Sequence, residues 1–348
     1  MNKTLFRAVL FNALIAVTII NFINAQENTE PTLQTFGYIR AWHQTDLSTN
    51  QGQFLVKMAR MGLKGKVNQY ASYRVFVDFT RLGSMNTKSE DVNGTEVVTD
   101  VSAKFSDVLL DAEAVLTPVK NFAVEVGQFK VPFSTDNLRG GADIDFVNRP
   151  LITNVAPGLR DIGIMCSYNF KDNLPLELKA GVFNGAGQNK AENDKSSNYS
   201  LRAVVSPVKS VGLSANYYGG KSSGADLGIF DLGADYKIGN VFVSGEFGQR
   251  QTKTSAQKVK SNAYFIYATY DLEFEECMIT HLFPAVRYEN YDQNQSLDDN
   301  EVSRVTAGLS FNFAKIKAAQ FRINYELYDY KDGRKNPDKI IFELQTKF

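Results

Sequence analysis

The sequence has few of the residues on which disulfide frameworks, metal sites and many catalytic sites depend. Its 348 residues include two cysteines and two histidines. Two cysteines exclude a disulfide-dense fold and a four-cysteine zinc site, and two histidines leave little material for a catalytic triad or a metal enzyme. The formal net charge is 0, with 38 basic and 38 acidic residues, which argues against nucleic-acid binding. We therefore expect no catalytic residues, no metal, no cofactor and no nucleic-acid partner.

Long hydrophobic runs are missing after the amino terminus, so the sequence predicts no transmembrane helix. Residues 1–25 differ from the rest: Lys3 and Arg7 precede a short apolar stretch, and a small residue follows at the cleavage position. This pattern is typical of a secretory signal peptide, and a buried amino-terminal helix is the alternative. Cleavage would leave a single domain, 26–348, with 36 basic and 38 acidic residues and a net charge of −2.

What the sequence does contain is alternation of apolar and polar residues along most of the mature chain. In 107–116 the even positions are all apolar, whereas the odd positions carry three carboxylates; 304–312 alternates in the same way. Alternation with period two predicts strands that have one apolar and one polar face. Sixteen segments show it: 34–44, 53–65, 69–80, 105–116, 121–130, 160–170, 175–183, 199–206, 211–218, 227–237, 241–250, 261–271, 280–290, 302–312, 320–329 and 339–348.

The connectors between these segments alternate between short and long. Short ones follow the second, fourth, sixth and eighth strands, and the predicted long ones are 81–104, 131–159, 184–198, 251–260, 291–301 and 330–338. Short turns at one end and long loops at the other are typical of bacterial transmembrane barrels. We therefore predict an all-β fold, a transmembrane antiparallel β-barrel of sixteen strands in the outer membrane of a Gram-negative bacterium, with its apolar face toward lipid. A secreted β-sandwich is the alternative, because its strands would alternate too.

Segment 126–134 reads Val-Gly-Gln-Phe-Lys-Val-Pro-Phe-Ser, and it resembles the signature of the phosphate-selective porin O and P family. Segments 59–65, 111–116, 160–163 and 180–185 resemble further motifs of that family, in the same order. The resemblance implies a homotrimeric outer-membrane channel for passive diffusion of small hydrophilic solutes or ions, among them anions such as phosphate. It also implies that the third long loop folds into the lumen as a constriction.

The residues expected to set selectivity lie in that third loop, 131–159, and on the polar face of the strands. Opposed charges across a constriction create a transverse field that orients polar solutes. The predicted constriction residues are Lys130, Arg139, Asp143, Asp145, Arg149 and Arg160. The predicted wall residues are Arg74, Asp107, Asp111, Glu113, Asp161, Arg287, Arg304 and Arg322. The competing hypothesis is a non-conducting outer-membrane or secreted β protein that acts as an adhesin or structural partner through its long loops.

Overall fold

The computed structural model describes eight stretches of the chain. These are 30–82, 85–92, 95–103, 108–170, 175–191, 196–275, 277–314 and 317–348. The predicted signal peptide, 1–25, lies outside the described residues, and so does Asp107, one of the predicted wall residues.

Nineteen β-strands account for most of the described residues. In chain order they are β1 Gln34–Asp46, β2 Gln51–Lys66, β3 Ala71–Asp78, β4 Met85–Val92, β5 Thr95–Ala103, β6 Leu109–Val119, β7 Phe122–Lys130, β8 Arg160–Phe170, β9 Leu176–Phe183, β10 Asn198–Val208, β11 Val211–Ser222, β12 Ala225–Ile238, β13 Val241–Lys253, β14 Lys258–Tyr270, β15 Leu272–Glu273, β16 Ile279–Asp292, β17 Glu301–Phe313, β18 Ala319–Tyr330 and β19 Lys339–Lys347. All except β4, β5 and β15 correspond one for one with the sixteen predicted segments.

These sixteen strands form a closed antiparallel barrel, which confirms the predicted fold over the sandwich. Each barrel strand pairs with the next, and β19 pairs with β1, so that Tyr38 lies opposite Lys347 and Asp46 opposite Lys339. Closure leaves no free strand edge, which is what backbone groups in a lipid environment require. The two-residue β15 adds to β16, and β4 pairs with β5 in a separate hairpin.

The two faces of the barrel wall differ in polarity as the alternation predicts. In β17, Val305 and Ala307 are exposed on the outer surface, whereas Arg304 and Thr306 on the inner face are buried. In β19, Phe342 and Leu344 are exposed, whereas the residues on either side of each are buried. Apolar side chains therefore cover the outside of the wall, as on a barrel surrounded by lipid.

Leu110 departs from this pattern. The alternation assigns it to the apolar outer set, yet its side chain is fully buried and packs with Tyr38 and Phe76. The pairing of β3 with β6 shifts register between Phe76 and Val77, opposite this position. A bulge inserts one extra residue, so the two-residue period breaks there and Leu110 turns inward.

The connectors at the two ends of the barrel differ in length less regularly than predicted. The long loop predicted at 251–260 is wrong, because β13 runs to Lys253 and β14 begins at Lys258, leaving a turn of four residues. The outward positions of the two strands are polar there, namely Gln251, Lys253, Lys258 and Lys260, so the apolar alternation stops before the strands do. Within the predicted loop 81–104 the chain forms the β4–β5 hairpin.

Segment 131–159, the predicted third loop, connects β7 to β8. It contains a short helix, Thr135–Leu138, and a 3-10 turn, Leu151–Asn154. Most of its apolar side chains are buried, which is unusual for a connector of this length that runs over a protein surface. Those buried to 3% exposure or less are Val131, Phe133, Ala142, Ile144, Phe146, Val147, Ile152 and Val155. Among the described residues no helix is long and apolar enough to cross a membrane.

Candidate functional site

Segment 131–159 is bound to the polar face of the barrel wall through three clusters of buried charge. In the first cluster, the Glu343 carboxylate on β19 lies between Arg40 on β1, at 2.6 Å, and Arg322 on β18, and all three side chains are at most 1% exposed. The guanidinium groups also donate to carbonyls of the segment: Arg40 to Val147 at 2.6 Å and Arg322 to Ile144 at 2.7 Å. The carboxylate offsets the cost of burying two cations only because it contacts both of them.

The second cluster is centred on Glu289 of β16. Its carboxylate accepts hydrogen bonds from Arg287 at 3.0 Å and from Arg304 at 2.6 Å. It also accepts from the backbone N–H of Leu151 at 2.6 Å, and Arg304 donates to the carbonyl of Arg149 at 2.7 Å. Alternation places these three charged residues on the inner face, and the segment covers them.

The third cluster is centred on Glu246 of β13. Its carboxylate accepts from the Ser134 hydroxyl at 2.5 Å and from the backbone N–H of Asp136 at 2.8 Å. Beside it, Arg202 of β10 donates to the Thr135 hydroxyl at 3.0 Å. The start of the segment is therefore bonded to polar residues of the wall, as its middle is.

Three of the predicted constriction cations hold the segment in its own shape. Arg139 donates to the Asp145 carboxylate at 2.7 Å and to the Tyr267 hydroxyl of β14 at 2.8 Å. Arg149 pairs with the Asp136 carboxylate at 3.3 Å. The Lys130 ammonium donates to the carbonyls of Leu138 and Arg139, at 2.8 and 2.6 Å, where the short helix ends.

The tip of the segment reaches the far end of the barrel. Lys317, in the connector between β17 and β18, contacts the Asp145 carboxylate at 3.1 Å, and Lys347 at the end of β19 contacts Asp143 at 2.5 Å. Burial alone would raise the pKa of the Asp145 carboxyl, but Arg139 and Lys317 outweigh it and hold that pKa well below its usual range. Asp145 is therefore ionised wherever the fold is intact at neutral pH.

A cavity of about 500 Å³ remains between segment 131–159 and the wall formed by β1–β3 and β6–β9. Four predicted constriction residues and three predicted wall residues line it: Lys130, Asp143, Arg149, Arg160, Arg74, Asp111 and Glu113. In its wall, Asp111 binds both Arg160, at 2.6 Å, and Arg74, at 3.3 Å. The structure thus brings residues from the predicted loop and the predicted wall together around one space.

The other predicted residues lie elsewhere on the inner face. Arg139, Asp145, Arg287, Arg304 and Arg322 belong to the contacts between the segment and the wall described above. Asp161 is 2% exposed, and its carboxylate accepts from the backbone N–H groups of Ile162, at 2.8 Å, and Gly185, at 2.7 Å. It therefore positions the start of the connector that follows β9.

Several charged residues of the interior are absent from the predicted set. Arg40, Arg60 and Lys64 lie on the inner face of β1 and β2, and Glu125 and Glu289 on that of β7 and β16. Alternation carries a signal for Arg60, Lys64 and Glu289, because the residue immediately before each of them is apolar or aromatic. It carries none for Arg40, whose neighbours of the same parity, Tyr38 and Trp42, are aromatic. What alternation does not show is which of them the segment covers.

The two histidines lie at opposite ends of the barrel wall. His43 packs against the ring of Phe54 near the end of β1, whereas His281 bonds to Asp271 at 2.7 Å, near the other end of the barrel. In the described part of the chain no group of three or more histidine, cysteine, aspartate and glutamate side chains could hold a metal ion.

Comparison with known proteins identifies a family and a set of similar barrels. A family model described as phosphate-selective porin O and P matches residues 39–240. The barrel is similar to the trimer form of OmpT, an outer membrane protein of Vibrio cholerae, with 12% identity, a TM-score of 0.63 and coverage of 92% of this chain and 100% of that one. It is also similar to an anion-selective porin from Comamonas acidovorans, with 14% identity, a TM-score of 0.63 and coverage of 92% and 100%. A third similar structure is the outer membrane channel DcaP of Acinetobacter baumannii, with 14% identity, a TM-score of 0.60 and coverage of 93% and 99%. A search of curated proteins finds no match.

Proposed function

The chain belongs to the phosphate-selective porin O and P family, and from this premise we propose that it is an outer-membrane porin with a preference for anions. Small hydrophilic solutes and ions diffuse passively through its barrel. The observation that carries the anion preference is the lining of the cavity, where eight basic side chains face four acidic ones. An excess of positive charge along a narrow passage concentrates anions and lowers the barrier to their entry.

We further propose that segment 131–159 folds into the barrel and narrows the lumen. Its contacts support this, because they are made with the polar face of the wall rather than with the apolar outer face. The segment begins where β7 ends, yet it contacts Lys317 and Lys347 at the opposite end of the wall. A polar segment that runs along a barrel in lipid can cover that depth only on the inside.

The proposal extends to the mature chain and its oligomeric state. We propose that 1–25 is removed on export and that 26–348 forms the mature barrel in a Gram-negative outer membrane. A homotrimer is supported by the trimer form of the similar OmpT structure. The chemistry of the described interior is that of a passage, so we assign the protein no enzymatic activity.

Planar bilayer recording of the refolded protein tests the proposal. We expect stepwise conductance, and in a KCl gradient a reversal potential on the anion-selective side. Lys64→Glu should shift that potential toward cations, because Lys64 lines the cavity. Lys209→Glu is the matched control, since Lys209 is also exposed but lies in the turn after β10, and it should leave the potential unchanged.

Two results would overturn the proposal. Absence of conductance over many insertions of folded protein would favour the non-conducting adhesin or structural role through the long loops. A cation-selective wild-type channel would retain the porin function and remove the anion preference.

A further inference from the structure

The first three strands place a row of aromatic side chains on the wall of the cavity. Phe36 on β1 lies opposite Gly62 on β2, which lies opposite Phe76 on β3. The Phe36 ring occupies the space that a side chain at Gly62 would need, because a Cβ there would lie 2.5 Å from the Phe36 Cζ atom. The ring thereby reaches Phe76, with ring centroids 5.0 Å apart and an interplanar angle of 27°. Such rings are not needed on the polar face of a water-filled barrel.

Packing in a buried cluster accounts for Phe76 but only partly for Phe36. Phe76 is 3% exposed and lies in a buried cluster with Leu110 and Ala142. Phe36 is only half-buried, and it lines the cavity together with the Met58 side chain. An apolar surface is therefore left open to the passage.

Basic side chains lie directly beside that open surface. Lys64 is opposite Arg74 in the neighbouring row of the sheet, and their cationic groups lie 5.6 and 4.9 Å from the Phe36 ring centroid. Arg74 pairs with Asp111 through one terminal nitrogen at 3.3 Å, but its Nε atom is buried with no hydrogen-bond partner. Among the described residues Lys64 makes no ion pair with a carboxylate, unlike Arg60, which pairs with Asp78 at 2.7 Å.

We propose that Phe36, Lys64 and Arg74 form a binding site for anions that carry an apolar ring, with aromatic carboxylates as the ligand class. The inference rests on the channel function proposed above. The ligand's carboxylate binds the Lys64 ammonium and the guanidinium of Arg74, whose side chain is 38% exposed, and its ring packs against Phe36. A simple anion such as acetate gains only the first of these two contacts, so the site distinguishes ring-bearing anions from small ones.

The test compares benzoate with acetate as blockers of chloride current through single channels in planar bilayers. Covering about 50 Å² of ring surface predicts a half-blocking concentration about tenfold lower for benzoate than for acetate. Phe36→Gln should bring the two concentrations together, because it removes the ring and keeps the cations. Lys64→Gln should raise both concentrations and leave their ratio close to the wild-type value, because the ring remains.

Equal block by benzoate and acetate in the wild type would overturn the inference, and so would an unchanged ratio in Phe36→Gln. If Phe36→Gln does not insert, Phe36→Leu replaces it, and the ratio is then expected to lie between 1 and the wild-type value; an unchanged ratio contradicts the site. These outcomes differ from failure of the proposed function, which would appear as a wild-type protein that does not conduct.

Discussion

The interior of the barrel has two unlike sides, although the strands that build them follow the same alternating pattern. On the packed side, defined by Arg322, Glu343, Arg304, Glu289 and Glu246, every residue is at most 4% exposed. On the cavity side, the Arg74 and Lys179 side chains are 38% and 24% exposed, and Glu177, the ion-pair partner of Lys179, is 31% exposed. Asp111 and Arg160 in the same wall are buried in a pair with each other. The difference follows the contacts of segment 131–159, which bonds directly to the charges of the packed side.

An inward charge therefore has one of two roles in this barrel: it is part of a packed core, or it is accessible to solutes. A charge that the segment covers loses water and must be bonded on all sides, so it acts as part of a core. A charge that remains exposed to solvent interacts weakly with its neighbours and is accessible to solutes. Stability and selectivity should therefore depend on different residues, and substitutions on the two sides test that division.

The largest effect is expected for Glu343→Ala on the packed side. The substitution leaves Arg40 and Arg322 buried without a carboxylate, and we expect the free energy of unfolding to fall by about 3–5 kcal/mol. The free energy of unfolding is measured by urea unfolding in lipid vesicles, with the fluorescence of Trp42 as the signal. Glu177→Ala on the cavity side is the matched control and should cost less than about 1 kcal/mol. Equal losses for the two variants would contradict the division.

A smaller effect is expected at Asp145, where the segment meets the far end of the barrel. Asp145→Asn weakens the contacts with Arg139 and Lys317, and we expect a loss of about 1–3 kcal/mol at neutral pH. Since the folded state depresses the pKa of this carboxyl, its contribution is complete above the ordinary aspartate pKa of about 4 and is lost as the pH falls through the depressed value. The difference in unfolding free energy between wild type and variant should therefore shrink on acidification. A difference that stays constant down to pH 2 would show that ionisation of Asp145 does not matter.

The smallest effect on stability is expected for Lys179→Gln on the cavity side. Lys179 pairs with Glu177 at 3.1 Å, and both side chains are partly exposed, so the unfolding free energy should change by less than about 1 kcal/mol. The same substitution removes a positive charge from the cavity lining and should move the reversal potential toward cations. A large loss of stability together with an unchanged potential would place Lys179 on the packed side.

Much of the fold could be predicted because one face of every barrel strand must suit lipid and the other must suit water. That requirement gives the sequence a period of two. The sixteen strands can be predicted from this period, and so can the inward orientation of residues such as Arg304 and Arg322. The strand prediction was wrong where a strand no longer has one apolar and one polar face. The outward positions where β13 ends and β14 begins are polar, so the loop predicted at 251–260 was too long. The bulge beside Leu110 shifted the period by one residue.

The candidate site could be predicted only as a set of residue types. Alternation places Arg74, Asp111 and Arg322 on the inner face alike, but Arg322 is buried under segment 131–159 whereas Arg74 borders the cavity. The same holds within the segment, where Arg139 binds Asp145 instead of facing open space. Which partner each charge has depends on how the segment lies across strands that are far apart in the chain.

The class of protein follows from the sequence, because its strands alternate between residues suited to lipid and residues suited to water. Local periodicity is enough for this, because the orientation of a strand residue depends only on its position along the strand. Which of the inward charges are buried, and which line the cavity, is seen only in the tertiary structure. That outcome depends on contacts between residues up to 303 positions apart, such as Arg40 and Glu343, and such contacts leave no periodic trace in the sequence.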